Sequence, residues 1–173
     1  MSAQRADARF LWRHPAHAIA LGFGSGLAPR APGTVGTLAA WGAFVLLERS
    51  FGPLPWPALL LIGLLLGIWA CTLCARHMGI ADPGAIVWDE IIAFWAVLWW
   101  IAPAAWWVQL LAFALFRFFD AAKPGPVGWA DRLFKPAPGA AVGWTQGVGI
   151  LFDDLVAALC TLLVMALLSP LWT

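Results

Sequence analysis

Asp153 and Asp154 stand side by side inside the apolar run GVGILFDDLVAALCTLLVMALL. A carboxylate at the centre of a membrane helix costs about 2.5 to 3.5 kcal/mol on insertion scales, and less near the ends. Two in succession need compensation, and a cation supplies it. Asp89 and Glu90 open a second apolar run, VWDEIIAFWAVLWW, and Asp120 closes a third, AFALFRFFD. Acids placed repeatedly where apolar helices begin or end point to a metal site at a membrane surface. Mg²⁺ suits such a site, because it takes oxygen ligands and often combines one or two carboxylates with a substrate phosphate. Asp89, Glu90, Asp153 and Asp154 are the candidate ligands. Adjacent helical residues point about 100° apart, so one of Asp153 and Asp154 is expected to face the metal directly.

Each group also has a plainer reading. Asp89 and Glu90 complement the dipole of the helix they open, but that effect is worth only about 0.3 to 1 kcal/mol. Arg117 and Asp120 are three residues apart and can form a helix salt bridge. Asp153 and Asp154 can pair with Arg117 or Lys123, which does not exclude metal binding. Arg117, Lys123 and Arg132 can instead clamp a phosphate, where arginine offers two parallel donors. Asp120 then ligates the metal or orients a cation, and Asp131-Arg132 reads as a surface turn. Upstream, GFGSGLAPRAPGTVGT ends in Gly33-Thr34, with Thr34 a natural N-cap. Glycine-rich turns at helix N-termini offer free N–H groups to phosphate. His14, His17 and His77 have no metal-ligand spacing and read as solvated or interfacial. Cys71 and Cys74 form a CxxC inside an apolar helix and read as small core residues.

The elements that must position these groups are apolar. Of 173 residues, 62% are hydrophobic and 11% charged, and the mean hydropathy is +0.84. Soluble domains are near 25% charged, so the fold class is an all-α, polytopic membrane helical bundle. A net charge of +1 implies no nucleic-acid partner. Five apolar helices are drawn, over about residues 34–48, 56–75, 88–102, 104–119 and 149–168. The second and fifth reach the roughly 20 residues that spanning takes, and the others are short. Breakers separate them: 52–55, 82–84, Pro103 and the Gly/Pro-rich stretch 123–147. Residues 1–17 read as a basic cytoplasmic tail without a signal peptide, and 18–173 as one membrane domain.

With the N-terminus cytoplasmic, Arg5, Arg9, Arg13, Arg30, Arg76, Arg117, Lys123, Arg132 and Lys135 all fall inside, and only Arg49 falls outside. That split satisfies the positive-inside rule. The acids follow it, with Glu48 alone on the outer side; Trp172 is among the tryptophans read there. Asp89 lies fourteen residues before Pro103 and Arg117 fourteen after it. At 1.5 Å per residue both stand about 21 Å from that turn, so Asp89, Glu90, Arg117 and Asp120 share a depth, and Asp153 and Asp154 start from the same side.

The blocks GFGSGLAPRAPGTVGT, AIVWDEIIAFW, FRFFDAAKPGPVGWADR and GVGILFDDLVAA follow one another over about residues 20–168. In that order they resemble the phosphatidylglycerophosphatase A family. The resemblance implies an enzyme of the bacterial cytoplasmic (inner) membrane. It implies Mg²⁺-dependent removal of the terminal phosphate of phosphatidylglycerophosphate, a membrane lipid. The family's acidic motifs fall on Asp89, Glu90, Asp120, Asp153 and Asp154, and its basic ones on Arg117 and Lys123. Gln146-Gly147 departs from the family's paired glycines.

Other phosphatase chemistries lack their residues here: there is no Cys-x5-Arg loop and no Asp-x-Asp pair. Three further readings stand beside the phosphatase: a phosphatase for another phosphomonoester, a cation transporter whose acids line a path, and a scaffold locked by ion pairs. Acids gathered at one face argue against a path across.

Overall fold

The computed structural model describes residues 6–135 and 142–171, and the described residues hold helices and no strand. Arg5 and Trp172 lie outside the described residues. Two short helices come first, α1 (Ala8–Leu11) and α2 (Pro15–Ala20), then a tight 3-10 turn, Gly22–Leu27. The long helices follow: α3 (Pro32–Phe51), α4 (Trp56–Met78), α5 (Trp88–Ile101) and α6 (Trp106–Ala122). After a short α7 (Pro126–Leu133), α8 (Trp144–Leu168) and a closing 3-10 turn complete the chain.

Local chemistry sets these ends. Asp7 caps α1 by accepting from the Phe10 N–H at 2.6 Å. His14 Nδ1 caps α2 from the Ala16 N–H at 3.1 Å, ahead of Pro15. The expected break between tail and membrane domain at residue 17 therefore falls inside α2. α3 opens at Pro32, not at Thr34. Its N-cap is Ala31 in the left-handed region, because proline fits the first helical position and starts the helix two residues early. Thr34 is thus in the first turn and is not the cap. The expected surface turn at Asp131-Arg132 is also replaced, since Pro126 starts α7 within the stretch read as a breaker. α4 ends on Gly79 at φ 69, and α6 on Lys123 at φ 46 before Pro124. Gln146 Oε1 accepts from the Gly143 N–H at 2.5 Å and fixes the start of α8.

The core runs along α5, where Phe94, Val97 and Leu98 are fully enclosed. α5 packs on α3, α4, α6 and α8, and α8 also touches α7. Small residues let these backbones close up. Gly63 and Gly67 of α4 form a G-x3-G pair under Trp88, whose indole N–H donates to the Gly63 carbonyl at 2.9 Å. A Cβ at Gly67 would come within 2.7 Å of both Trp88 and Leu151. Cys71 and Cys74 are completely buried in the same helix, as small core residues.

Two helices, α4 with 23 residues and α8 with 25, are long and apolar enough to cross a membrane by length and composition. Each keeps large apolar side chains exposed: Leu61, Ile62, Leu65 and Leu66 on α4, and Leu159, Leu163 and Leu167 on α8.

Candidate active site

Trp88 meets α4 at Gly63 and Gly67, so α4 runs about 16 Å farther, from Gly67 to Met78, at 1.5 Å per residue. Asp154 lies ten residues after Trp144, about 15 Å along α8. The acids at the α5 start therefore lie recessed between longer helices rather than on a rim. The chain reaches this level by dipping. Val87, just before α5, donates its N–H to the Ala20 carbonyl at 2.9 Å and packs against Gly22 and Gly36. Three segments thus lock the start of α5.

Asp89, Glu90 and Asp154 converge there, with one carboxylate oxygen from each lying within 4.8 Å of the others. Glu90 and Asp154 are buried and Asp89 half-buried. Asp89 Oδ1, Glu90 Oε2 and Asp154 Oδ2 are enclosed and have no hydrogen-bond partner. They border a pocket of about 130 Å³ that Asp120, Lys123 and Asp153 also line. Buried carboxylates left this way cost several kcal/mol each, and an all-oxygen set is what a hard divalent cation takes. The residues present fit Mg²⁺.

Arg117 joins this cluster from α6. It pairs with Asp120, approaches Glu90 Oε1 at 3.7 Å, and donates to the Thr37 hydroxyl at 3.4 Å. Its buried Nε has no partner. Gly33 lies against the same pair: a Cβ there would fall on Glu90 Oε1 and 3.2 Å from the guanidinium nitrogens. Thr34 is half-buried beside it.

Asp153 turns elsewhere. Its Oδ2 accepts from Lys123 Nζ at 2.5 Å, and the same ammonium reaches Asp131 at 2.6 Å. Lys135 closes on Asp131 at 2.5 Å. Burial opposes the charge on Lys123, but Asp131 and Asp153 outweigh it and hold its pKa above the usual value. Burial likewise works against the charged form of Asp131, and Lys123 and Lys135 override it, keeping that carboxyl below its ordinary range. α7 exists in this place because Gly128 has no side chain; a Cβ there would come within 2.5 Å of the Lys123 carbonyl.

The structure thus brings Asp89, Glu90, Asp154, Asp120, Arg117 and Gly33 together, and sets Asp153 and Lys123 at the neighbouring wall. Three residues were not picked out for this site. Thr37 receives Arg117, and its position one helical turn after Gly33 was the available signal. Asp131 holds Lys123, which its short spacing from the α6 end permits. Asp82 lines the pocket from the loop, where spacing carries no signal. Of the three histidines, His17 alone differs from expectation, since His14 is half-buried and His77 exposed. His17 is buried, its Nδ1 against the Phe10 carbonyl at 2.8 Å and its Nε2 against His77 Nδ1 at 2.7 Å, because α2 folds down beside α4.

Residues 18–169 match the family described as phosphatidylglycerophosphatase A. A phosphatidylglycerophosphatase A of Escherichia coli is 35% identical over 170 residues, covering 96% of this chain and 91% of that protein. One of Haemophilus influenzae is 38% identical over 151 residues, covering 87% and 86%. A Bacteroides thetaiotaomicron protein, provisionally named phosphatidylinositol-3-phosphatase, is 36% identical over 155 residues, covering 86% and 89%. No solved structure matches this chain. Membership shown over so much of its length makes the chain an enzyme, and it belongs to the phosphatidylglycerophosphatase A family.

Proposed function

We propose that this protein hydrolyses the terminal phosphomonoester of phosphatidylglycerophosphate to phosphatidylglycerol and phosphate, with Mg²⁺ held by Asp89, Glu90 and Asp154. One observation carries the reading: three carboxylates meet, each with a buried oxygen that no donor reaches, beside the cations Arg117 and Lys123. When bound, Mg²⁺ supplies Lewis-acid polarisation of a phosphoryl oxygen. The other residues handle charge and placement. Arg117 keeps an unpartnered N–H for a phosphate oxygen, a contact stronger than a neutral hydrogen bond. Lys123, fixed by Asp131 and Asp153, offsets negative charge that grows on the phosphoryl group in the transition state. Asp120 orients Arg117 and stands in the same pocket to take or give a proton. The first-turn N–H groups of Gly33 and Thr34 have no helical partner and add donors at the α3 start.

The names of the Escherichia coli and Haemophilus influenzae relatives support this substrate. The third relative's name points to a phosphomonoester on another lipid headgroup, so the substrate needs a direct assay. We place the protein in the bacterial inner membrane with α3, α4, α5, α6 and α8 as its apolar helices, and with N-terminus and site cytoplasmic. The one-sided Lys and Arg distribution supports that orientation.

The test is phosphate release from phosphatidylglycerophosphate by the purified, detergent-solubilised protein, with Mg²⁺ and with chelator. Release that needs Mg²⁺ supports both substrate and metal. Release indifferent to chelator removes the metal from the scheme. Folded protein that releases nothing shifts the substrate to another phosphomonoester.

A further inference from the structure

A second cavity opens beside the start of α5, and it has a different character. It measures about 430 Å³ and is lined by Leu11, Trp12, Pro15, Ile19 and Phe23, together with Ala18 and His14. That volume is within the roughly 300–1,000 Å³ of small-molecule sites, and the wall is almost wholly apolar. Two of its side chains stand out to solvent: Trp12 is 73% exposed and Phe23 66%.

Phe23 is held at φ 53, ψ 28. A bulky residue seldom adopts that left-handed conformation, and such strain concentrates at ligand clamps. The chain keeps an aromatic ring here although glycine flanks it on both sides. That ring meets Trp88 edge-on at 6.2 Å, and Trp88 immediately precedes Asp89. The groove therefore ends one aromatic side chain from the start of α5, the helix that carries Asp89 and Glu90. Arg9 and Arg13 are exposed on the α1–α2 segment and complement an anionic headgroup. Tryptophan and arginine around an apolar slot are what an element seated at a membrane interface presents.

We propose that this groove holds an acyl chain of the phosphate-bearing lipid, so that α1, α2 and the glycine turn form the lipid-recognition subsite. This rests on reading the adjacent cluster as a lipid phosphatase site. Phe23 and Trp12 bind the chain, and Trp88 stands between the groove and the start of α5. Water-soluble phosphomonoesters leave the groove empty.

The test has two arms. In the first, phosphatidylglycerophosphate with a diazirine in one acyl chain is photolysed with the intact protein in detergent micelles. Label is expected within residues 11–23, and unlabelled phosphatidylglycerophosphate should displace it where phosphatidylcholine does not. Label displaced equally by both lipids, or falling elsewhere, overturns the assignment. In the second arm, Phe23→Gly and Trp12→Ala are assayed on the lipid and on its deacylated headgroup. Glycine relieves the backbone at position 23, so misfolding does not explain a loss there. KM for the lipid should rise about tenfold, in line with lost apolar burial, with the deacylated substrate unaffected. Equal losses on both substrates overturn the proposal. Competed label in a protein that releases phosphate from neither substrate keeps the groove and overturns the phosphatase reading alone.

Discussion

Asp153 and Asp154 are neighbours in sequence, but about 100° of helix rotation gives them different surroundings. Asp154 faces Asp89 and Glu90 with an unpartnered oxygen, while Asp153 accepts from Lys123. Their asparagine variants should therefore separate. Asp154→Asn should lower turnover by at least about 100-fold, the scale of losing a group that stabilises the transition state. It should also move the Mg²⁺ titration to higher concentration. Asp153→Asn acts one contact away, through Lys123, and should cost about 10- to 100-fold with the Mg²⁺ midpoint unchanged. Phosphate release across a Mg²⁺ series measures both, and matching shifts in midpoint would contradict the division of roles.

At the scale of elements, the site depends on how closely α4, α5 and α8 approach. Gly67→Val puts branched carbons where Trp88 and Leu151 already stand. Overpacking of this kind typically costs about 1–3 kcal/mol. The thermal midpoint in detergent should fall by several degrees, at about 2–4 °C per kcal/mol for a chain this long. The α2–α4 contact makes a second prediction. His17 faces the Phe10 carbonyl, His77, His14 and Arg13, and burial, reinforced by these cationic and imidazole neighbours against the carbonyl, lowers its pKa. The folded state then binds fewer protons than the unfolded chain below about pH 6.5, the ordinary histidine value. The contribution of His17 is full above that pH and is lost as pH falls through its folded value. Limited proteolysis of the 6–20 segment should accelerate on acidification over that window, and His17→Gln should flatten the dependence.

The whole molecule has a polarity. The charged cluster, the α7 ion pairs and the histidines gather at the end reached by the α4 C-terminus and the α8 N-terminus, and Glu48 and Arg49 stand near the opposite end of α3. In intact cells, a membrane-impermeant thiol reagent should label Ser50→Cys and spare Arg13→Cys. Both positions are exposed, so access alone decides the result. The reverse pattern would invert the orientation and put the site on the wrong side for a lipid phosphate made in the cytoplasm.

Composition and breakers made the helical class and the long runs of α4 and α8 readable from the chain alone, because burial of apolar surface and the reach of proline are local properties. The acidic pairs, Arg117 and Lys123 were legible for a similar reason: charge inside an apolar run is conspicuous wherever the run packs. The start of α3 was missed because proline outcompetes a threonine cap, and α7 because a Gly/Pro-rich stretch can hold a short helix once a partner surface supports it. Which oxygens meet was decided only in three dimensions. Helix rotation sent Asp154 to the carboxylate cluster with Asp89 and Glu90 and Asp153 to Lys123, and glycine contacts set how far the cluster is recessed. The N-terminal segment shows the same limit. Its residues look like a basic tail, and only its descent beside α4 buries His17 and shapes the groove at Phe23, since such contacts join positions sixty or more residues apart.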